Sequence, residues 1–289
     1  MKFQRIRREK ANFPVAVMCD GLGVSRSGYY AFEKRPPSKR AIEDVRLGVE
    51  IAESFRQSRG TYGSPRVLKD LIDNGHRVSR KRVARIMRSR ALCARVRRRF
   101  KVTTVADVAH PKGPNLLDRQ FSQKAPNRAW VSDITALWTR EGWLYVVAVL
   151  DLFSRRIVAW STSDTPDAAL CIRAFEDAVR CRRPAPGFLF HSDRGCQYTS
   201  VPFQESVRRA GAASSMSRKG NCWDNAPMES FWSSMKTEME SSVPETRAEG
   251  RRRVFDYIEA FYNPRRRHST LGHVSPNQFE EAVARSKAA

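Results

Sequence analysis

Acidic side chains are scarce in this sequence. Its 289 residues hold 30 Asp and Glu against 53 Lys and Arg, a formal net charge of +23. A surplus of that size excludes an ordinary near-neutral surface and points to a phosphate backbone or an anionic membrane. Long apolar runs are missing too. None approaches the ~18–20 residues of a membrane span, and Met1-Lys2-Phe3-Gln4 opens without a signal-peptide core, which leaves nucleic acid as the expected partner. The six cysteines include no C-x-x-C pair and no dense framework, so free thiols in a reducing cytoplasm are expected. The five histidines lack zinc-finger spacing, and no heptad is sustained, so the chain brings neither a zinc module nor a zipper of its own.

What is present is a globular chain with an uneven charge. Hydrophobic residues make up 41%, ordinary for a packed protein and too many for a disordered basic tail. Residues 1–110 carry 27 basic and 10 acidic side chains, and the remainder 26 and 20. The basic excess therefore sits at the front. Residues 13–33 read as a helix-turn-helix, with Gly21-Leu22-Gly23 as the turn, Ser25 as cap and Pro36-Pro37 as the stop. Arg26, Lys34 and Arg35 flank its second helix, so the hairpin reads either as a DNA contact or as simple packing. Residues 41–92 form a second helical unit. Ile42, Val45, Val49, Ala52 and Phe55 recur three or four apart, although Gly48 weakens the pattern. Ser64 caps a helix through Ile72, and Ser79 caps another over Lys81–Arg90 with Val83, Ile86 and Met87 inward. Arg80, Lys81, Arg82, Arg85, Arg88 and Arg90 cover the rest of that last helix. A charge run is usually a solvated face, but one of a single sign is hard to explain without a polyanion. Arg95, Arg97, Arg98, Arg99 and Lys101 extend it.

Pro111, Gly113, Pro114 and Pro126 mark Thr103–Asn127 as a linker, which divides the chain into a basic helical region 1–105, a linker 106–125 and a core 126–289. From Trp130 onward the pattern is α/β. Ala129–Trp138, Gly142–Leu152 and Ile157–Trp160 read as an antiparallel meander, followed by helix Ala168–Val179, strand Phe188–His191, helix Val201–Ala210 and strand Ala212–Met216. A mixed sheet with helices follows. Near the end come helix Arg251–Phe261 and the basic run Arg265-Arg266-Arg267-His268, which either holds substrate phosphates or merely closes the domain.

Three acids stand at the edges of apolar segments. Asp133 lies in Trp130-Val131-Ser132-Asp133-Ile134-Thr135, and Asp193 follows the run Gly187-Phe188-Leu189-Phe190. Glu229 falls in the first turn of a helix that Asp224 or Asn225 can cap and Pro227 can open. Met228, Phe231, Trp232, Met235 and Met239 form the core stripe of that helix, and Lys236 lies two turns beyond Glu229. Three carboxylates on separate elements suit hard cations, and two Mg²⁺ ions ~4 Å apart can activate one oxygen while stabilising another that leaves phosphorus. Asp151, at the end of another apolar run, is the rival to Asp133 and reads as structural.

With 35 residues between Asp193 and Glu229, this set resembles the D-D-35-E triad of retroviral-integrase-type polynucleotidyl transferases. The segments Trp130–Thr135, His191–Gly195 and Gly220–Trp232 resemble the B-frame product of IS3-family insertion-sequence transposases, and the likeness runs from about Ser25 to Glu281. The resemblance implies a ribonuclease-H-like, retroviral-integrase-type fold with a five-stranded mixed sheet, preceded by an all-α helix-turn-helix region. It places the first metal ligand at Asp133 and a basic residue at Lys236. The implied activity is DNA cleavage and strand transfer at the element's ends, with two Mg²⁺ or Mn²⁺ ions and a circular intermediate. The helical unit resembles the helix-turn-helix that precedes the family's core, so Arg80, Lys81, Arg82, Arg85 and Arg88 are expected to contact DNA, while Arg265, Arg266 and Arg267 are candidates for it beside the domain-closing alternative. At least a dimer on DNA is expected, since two ends must meet. An upstream A-frame helix-turn-helix partner is expected as a frameshift fusion, and a bacterial, cytoplasmic, nucleoid-associated location follows. Two rival functions share parts of this pattern: a metal-dependent nuclease of the ribonuclease H type, and a DNA-binding regulator with a decayed core.

Overall fold

The protein is described by a computed structural model covering residues 1–95, 113–218, 222–239 and 242–288. Arg97, Arg98, Arg99, Lys101 and the linker's first half, read above as basic surface and connector, lie outside the described residues, as do Gly220 and Asn221. The front of the chain holds two helical units. The first joins α1 (Lys2–Glu9), α2 (Val15–Gly21) and α3 (Arg26–Lys34) around Ile6, Cys19 and Tyr29. The sequence pattern missed α1, because a helix of mostly basic residues that buries only Ile6 leaves little periodicity to read. Ser25 caps α3 as expected, accepting from the Gly28 N–H.

The second unit packs α4 (Lys39–Gln57), α5 (Ser64–Asp73) and α6 (Arg80–Ser89) around Ile51, Val67, Leu71, Val83 and Ile86. Ser79 caps α6 through the Arg82 N–H. Gly48, which weakened the pattern for α4, has a reason. A Cβ there would stand 2.3 Å from the Arg90 guanidinium, so its bareness lets Arg90 cross the helix and reach the Val45 carbonyl. Gly63, not Ser64, is the N-cap of α5.

The remainder is built on a five-stranded sheet: β1 (Ala129–Thr139), β2 (Gly142–Asp151), β3 (Ile157–Ser163), β4 (Leu189–Ser192) and β5 (Ala213–Met216), in the order β3-β2-β1-β4-β5. The first three form the expected antiparallel meander, while β4 lies parallel to β1 and β5 parallel to β4. Helix α7 (Ala168–Arg182), the single turn α8 (Cys196–Thr199) and α9 (Val201–Arg209) cover one face, where Trp130, Val147, Val149, Phe175, Phe190 and Phe203 form a core. On the other face α10 (Ala226–Glu238) and α11 (Arg247–Phe255) bury Val131, Val146, Ala148, Phe231, Met235 and Tyr257. Because side chains alternate along a strand, Asp133 shares this second face with Ala129 and Val131. After α11 the chain continues in wider, π-helical turns over Asp256–Tyr262 rather than the single helix expected. Tyr257, Ile258, Phe261 and Tyr262 are all buried there.

The described half of the expected linker is not free. The Met216 N–H bonds the Pro114 carbonyl, Ser215 Oγ accepts from Leu116, and Leu117 is buried in the sheet's second core. Residues 113–127 therefore strap the β5 edge. At the other end, α12 (Pro276–Ala288) returns Glu280 to Ser154, Arg156 and Arg182. No helix among the described residues is long and apolar enough to cross a membrane.

The two halves meet through the closing basic motif. Arg267 ion-pairs with Asp70 and, at 2.6 Å, with Asp73 on α5, while its backbone N–H bonds the Tyr62 hydroxyl at 2.7 Å. Arg59 pairs with Asp256 and lies 4.7 Å over the Phe261 ring. Trp130→Ala should lower unfolding free energy by about 3–5 kcal/mol in urea denaturation, the usual loss for a fully buried aromatic. Arg267→Ala should loosen the helical unit from the sheet. Limited proteolysis should then separate the two at protease levels that leave the wild type whole.

Candidate functional site

Strand register assembles two of the three acids. Val131 on β1 pairs with His191 on the parallel strand β4, so continuing both strands two residues brings Asp133 level with Asp193. Asp193 has just left β4 and turns back, accepting from the Gly195 N–H at 3.0 Å. A Cβ on Gly195 would sit 3.1 Å from that same carboxylate and 2.9 Å from Gln197 Oε1, so a larger residue there would make both side chains shift. Glu229 occupies the first turn of α10 as expected and is exposed. It lies near enough to add to the negative field on Asp133. Among the described residues, no three His, Cys, Asp or Glu side chains converge closely enough to hold a metal ion as placed. The structure thus sets Asp133 beside Asp193 and leaves Glu229 at the rim.

The pair is electrostatically uncomfortable. Burial pushes the Asp133 carboxyl up to about 8, the neighbouring Asp193 pushes the same way, and the Ile134 N–H and Trp232 Nε1–H pull against them. Trp232 Nε1 donates to Asp133 Oδ2 at 3.2 Å. Asp193 is also raised by burial, with the Gly195 N–H opposing. Two desolvated carboxyls with all-oxygen donors, held side by side, are a poor resting state and a good receptor for a hard cation, which would relieve both burdens. Lys236, exposed on the last turn of α10, has its amine lowered by burial against an opposing pull from Asp133, so it faces the same field.

Second-tier groups escaped sequence reading. Asn225 Nδ2 donates to the Ser132 carbonyl at 3.1 Å and the Tyr198 hydroxyl bonds Ser132 Oγ at 2.8 Å, pinning β1 beside Asp133. Asp224, expected as an N-cap, is instead buried and gripped by Arg218, Arg119 and Asn115, with Arg218 foremost in holding its carboxyl far below the usual range. Asn225 takes the N-cap position, its side chain turned to Ser132 and making no capping bond to the helix. His191 bonds Ser215 and Ser217, and burial lowers it to about 4, so it is a neutral strut between β4 and β5. Asp151 accepts from the Asn127 and Phe153 N–H groups and from Arg182, the structural role expected of it.

The basic residues divide into two groups. Arg80, Lys81 and Arg88 are exposed and form no ion pair among the described residues, and Arg265 is exposed. Arg82 and Arg85 both pair with Asp44, and Arg82 also with Glu43. Arg266 is buried, gripped by Glu238 at 2.7 Å through two nitrogens, and Arg267 is taken up by α5. In the closing motif, then, two of the three arginines face inward. The domain-closing role weighed for that run describes Arg266 and Arg267, while Arg265 alone faces solvent.

The sequence matches family models for an integrase core domain over residues 123–222 and again over residues 210–276. A model for an HTH-like domain matches residues 43–100, the unit of α4–α6 rather than the earlier hairpin. The chain is 42% identical over 265 residues to an insertion element IS600 protein of 31 kDa from Shigella sonnei, covering 91% of this chain and 97% of that one. It is 40% identical to the transposase for insertion sequence element IS904 from Lactococcus lactis, covering 86% and 98%. Against the transposase InsF for insertion sequence IS3A from Escherichia coli it is 37% identical, covering 97% and 98%.

The raised Asp133 carboxyl gives a pH signature. A proton held in the folded state up to about pH 8, and shed by the unfolded chain near its ordinary value of 3.8, makes metal-free stability fall as pH rises through that window. Asp133→Asn removes the titration. In chelator, the variant should melt several degrees above wild type at pH 8 and close to it at pH 4. Equal melting at pH 8 would show that the carboxyl is not desolvated.

Proposed function

This chain belongs to the IS3 family of insertion-sequence transposases, and on that premise we propose that Asp133, Asp193 and Glu229 are the catalytic carboxylates of its integrase core. The family acts in DNA transposition, and the integrase core supports polynucleotidyl transfer with a divalent metal. The observation that carries the assignment is the desolvated Asp133–Asp193 pair beside the helix that bears Glu229. The three carboxylates would hold Mg²⁺ or Mn²⁺, and two such ions when bound would lower the pKa of an attacking hydroxyl and offset charge on the departing 3′ oxygen. Trp232 and the Gly195 N–H orient Asp133 and Asp193 so that each presents a fixed oxygen. Lys236 lends positive charge to the same face.

The reaction is an in-line displacement at phosphorus. A water oxygen bonds to phosphorus, the bond to the 3′ oxygen breaks, and the freed 3′-hydroxyl later attacks a second phosphodiester. No protein nucleophile is required. Arg80, Lys81, Arg85 and Arg88 on α6, with Arg82 completing that surface, and Arg265 would grip phosphates on either side, and the earlier hairpin of α2 and α3 would add a second contact. Two element ends must be held at once, so a homo-oligomer forms on DNA. We further propose that the chain works as a frameshift fusion with an upstream A-frame partner carrying a zipper, in the bacterial cytoplasm on the nucleoid.

The test is an in vitro reaction on labelled DNA carrying the element's ends, with Mg²⁺, comparing wild type with Glu229→Gln. The variant keeps shape and loses a ligand charge. It should bind DNA as wild type does and lose joining by at least about a hundredfold, the scale of removing one preorganised electrostatic contact. Degradation without joining by wild type would favour a ribonuclease-H-type nuclease, and binding without any chemistry, even with the upstream partner, a regulator.

A further inference from the structure

A cavity of about 440 Å³ lies behind the catalytic helix, walled by Ser230 and Ser234 of α10 together with Arg66, Arg155, Arg266 and His268. Those four basic side chains come from separate places: α5 of the helical unit, the turn before β3, and the closing motif. Among the described residues no carboxylate lines the cavity. Glu238, the acid that holds Arg266, is also bonded by the Tyr257 hydroxyl. Arg66 makes no ion pair among the described residues, and its guanidinium lies 5.3 Å over the Tyr62 ring. Arg155 gives one N–H to the Phe121 carbonyl at 3.0 Å and likewise has no acid partner among them. Both guanidinium groups are partly withdrawn from water, which together with Arg266 lowers Arg66 and acts alone in lowering Arg155. His268 is held well below its usual range by burial and by the three arginines, so it enters as a neutral hydrogen-bonding ring.

Half-buried guanidinium groups without counterions are costly unless something anionic completes them. Arginine's fork matches phosphate oxygens two at a time, and the serine hydroxyls of α10 supply further donors at the cavity wall. We infer that this cavity is a phosphodiester site: it seats one backbone phosphate of bound DNA, gripped by Arg66 and Arg155, beside α10. The inference rests on the transposase reading for its source of phosphate. It adds a consequence. Since Arg66 belongs to the helical unit and Arg155 to the sheet, the same phosphate would tie the DNA-binding unit to the helix that carries Glu229.

Three measurements decide it, using the full chain. Binding of a fluorescent random-sequence duplex is followed against salt for wild type, Arg66→Gln, Arg155→Gln and Arg66→Lys. Arg180→Gln serves as control, an exposed residue paired with Asp177 on α7. One lost phosphate contact flattens the slope of log K against log salt by about 0.9. That flattening is expected in each Gln variant, while Arg66→Lys and Arg180→Gln keep the wild-type slope. Circular dichroism and melting confirm that the variants fold, and Arg155→Gln tests the site independently if Arg66→Gln does not. Inorganic phosphate should raise the wild-type melting temperature above chloride of equal ionic strength, and not that of Arg66→Gln. If phosphate stabilises wild type but both Gln variants keep the slope, the cavity takes free phosphate and the proposal falls. If Arg180→Gln flattens as much as they do, the effect is general charge and the proposal falls. Absence of salt-dependent DNA binding by wild type would sink the transposase reading and this inference together, whereas unchanged slopes in the Gln variants sink the inference alone.

Discussion

The parallel register of β1 against β4 is the constraint on which the site depends. Val131 opposite His191 forces Asp133 and Asp193 into neighbouring positions, and no side-chain rearrangement can separate them without breaking the ladder. The flanking strands hold that register. β2 pairs along nearly all of β1, and β5 pairs along the whole of β4, so Asp133 lies on the central strand and Asp193 just past the end of its neighbour. His191 reinforces the seam through Ser215 and Ser217, and the Pro114–Leu117 strap ties down the exposed edge of β5. A sheet this well braced can hold two carboxyls in mutual repulsion. The strain is electrostatic, stored in burial, and available to whatever cation neutralises it.

Much of this was legible in the amino-acid order, and the reason is range. Strand alternation in Ala129–Thr139, the apolar run of β2, and caps such as Ser25 and Ser79 are local properties, and they read as the structure has them. The proposal of Asp133, Asp193 and Glu229 as catalytic carboxylates has another basis, their spacing within the resemblance to a known triad. What escaped depends on partners distant in sequence. Asp224 looks like a cap until Arg119 and Asn115 arrive from more than a hundred residues upstream. Arg266 and Arg267 look like solvent-facing charges until Glu238 and α5 close on them. The strap at residues 113–127 looks like linker because its prolines and polar residues carry no period, and its one buried anchor, Leu117, gives no pattern alone. Gly48 misled in the opposite direction, since the residue that needs its bareness, Arg90, lies two helices away.

The scarcity of acids then takes on structural meaning. Several of the carboxylates in this chain hold arginines from distant segments: Glu238 for Arg266, Asp224 for Arg119, Glu280 for Arg182, Asp70 and Asp73 for Arg267, Asp44 for Arg82 and Arg85. Each such pair fixes a long-range junction, since breaking one strands a desolvated charge. The +23 imbalance falls on exposed side chains such as Arg80, Lys81 and Arg88 and on the cavity behind α10. Asp133 and Asp193 are the exception to this economy. They are half-buried acids set against each other, neither in an ion pair among the described residues, and the amine of Lys236 feels the pull of Asp133. Among the described residues, the buried carboxylates Asp151, Asp224 and Glu238 each have an arginine partner and this pair does not, so its mutual repulsion favours a bound cation.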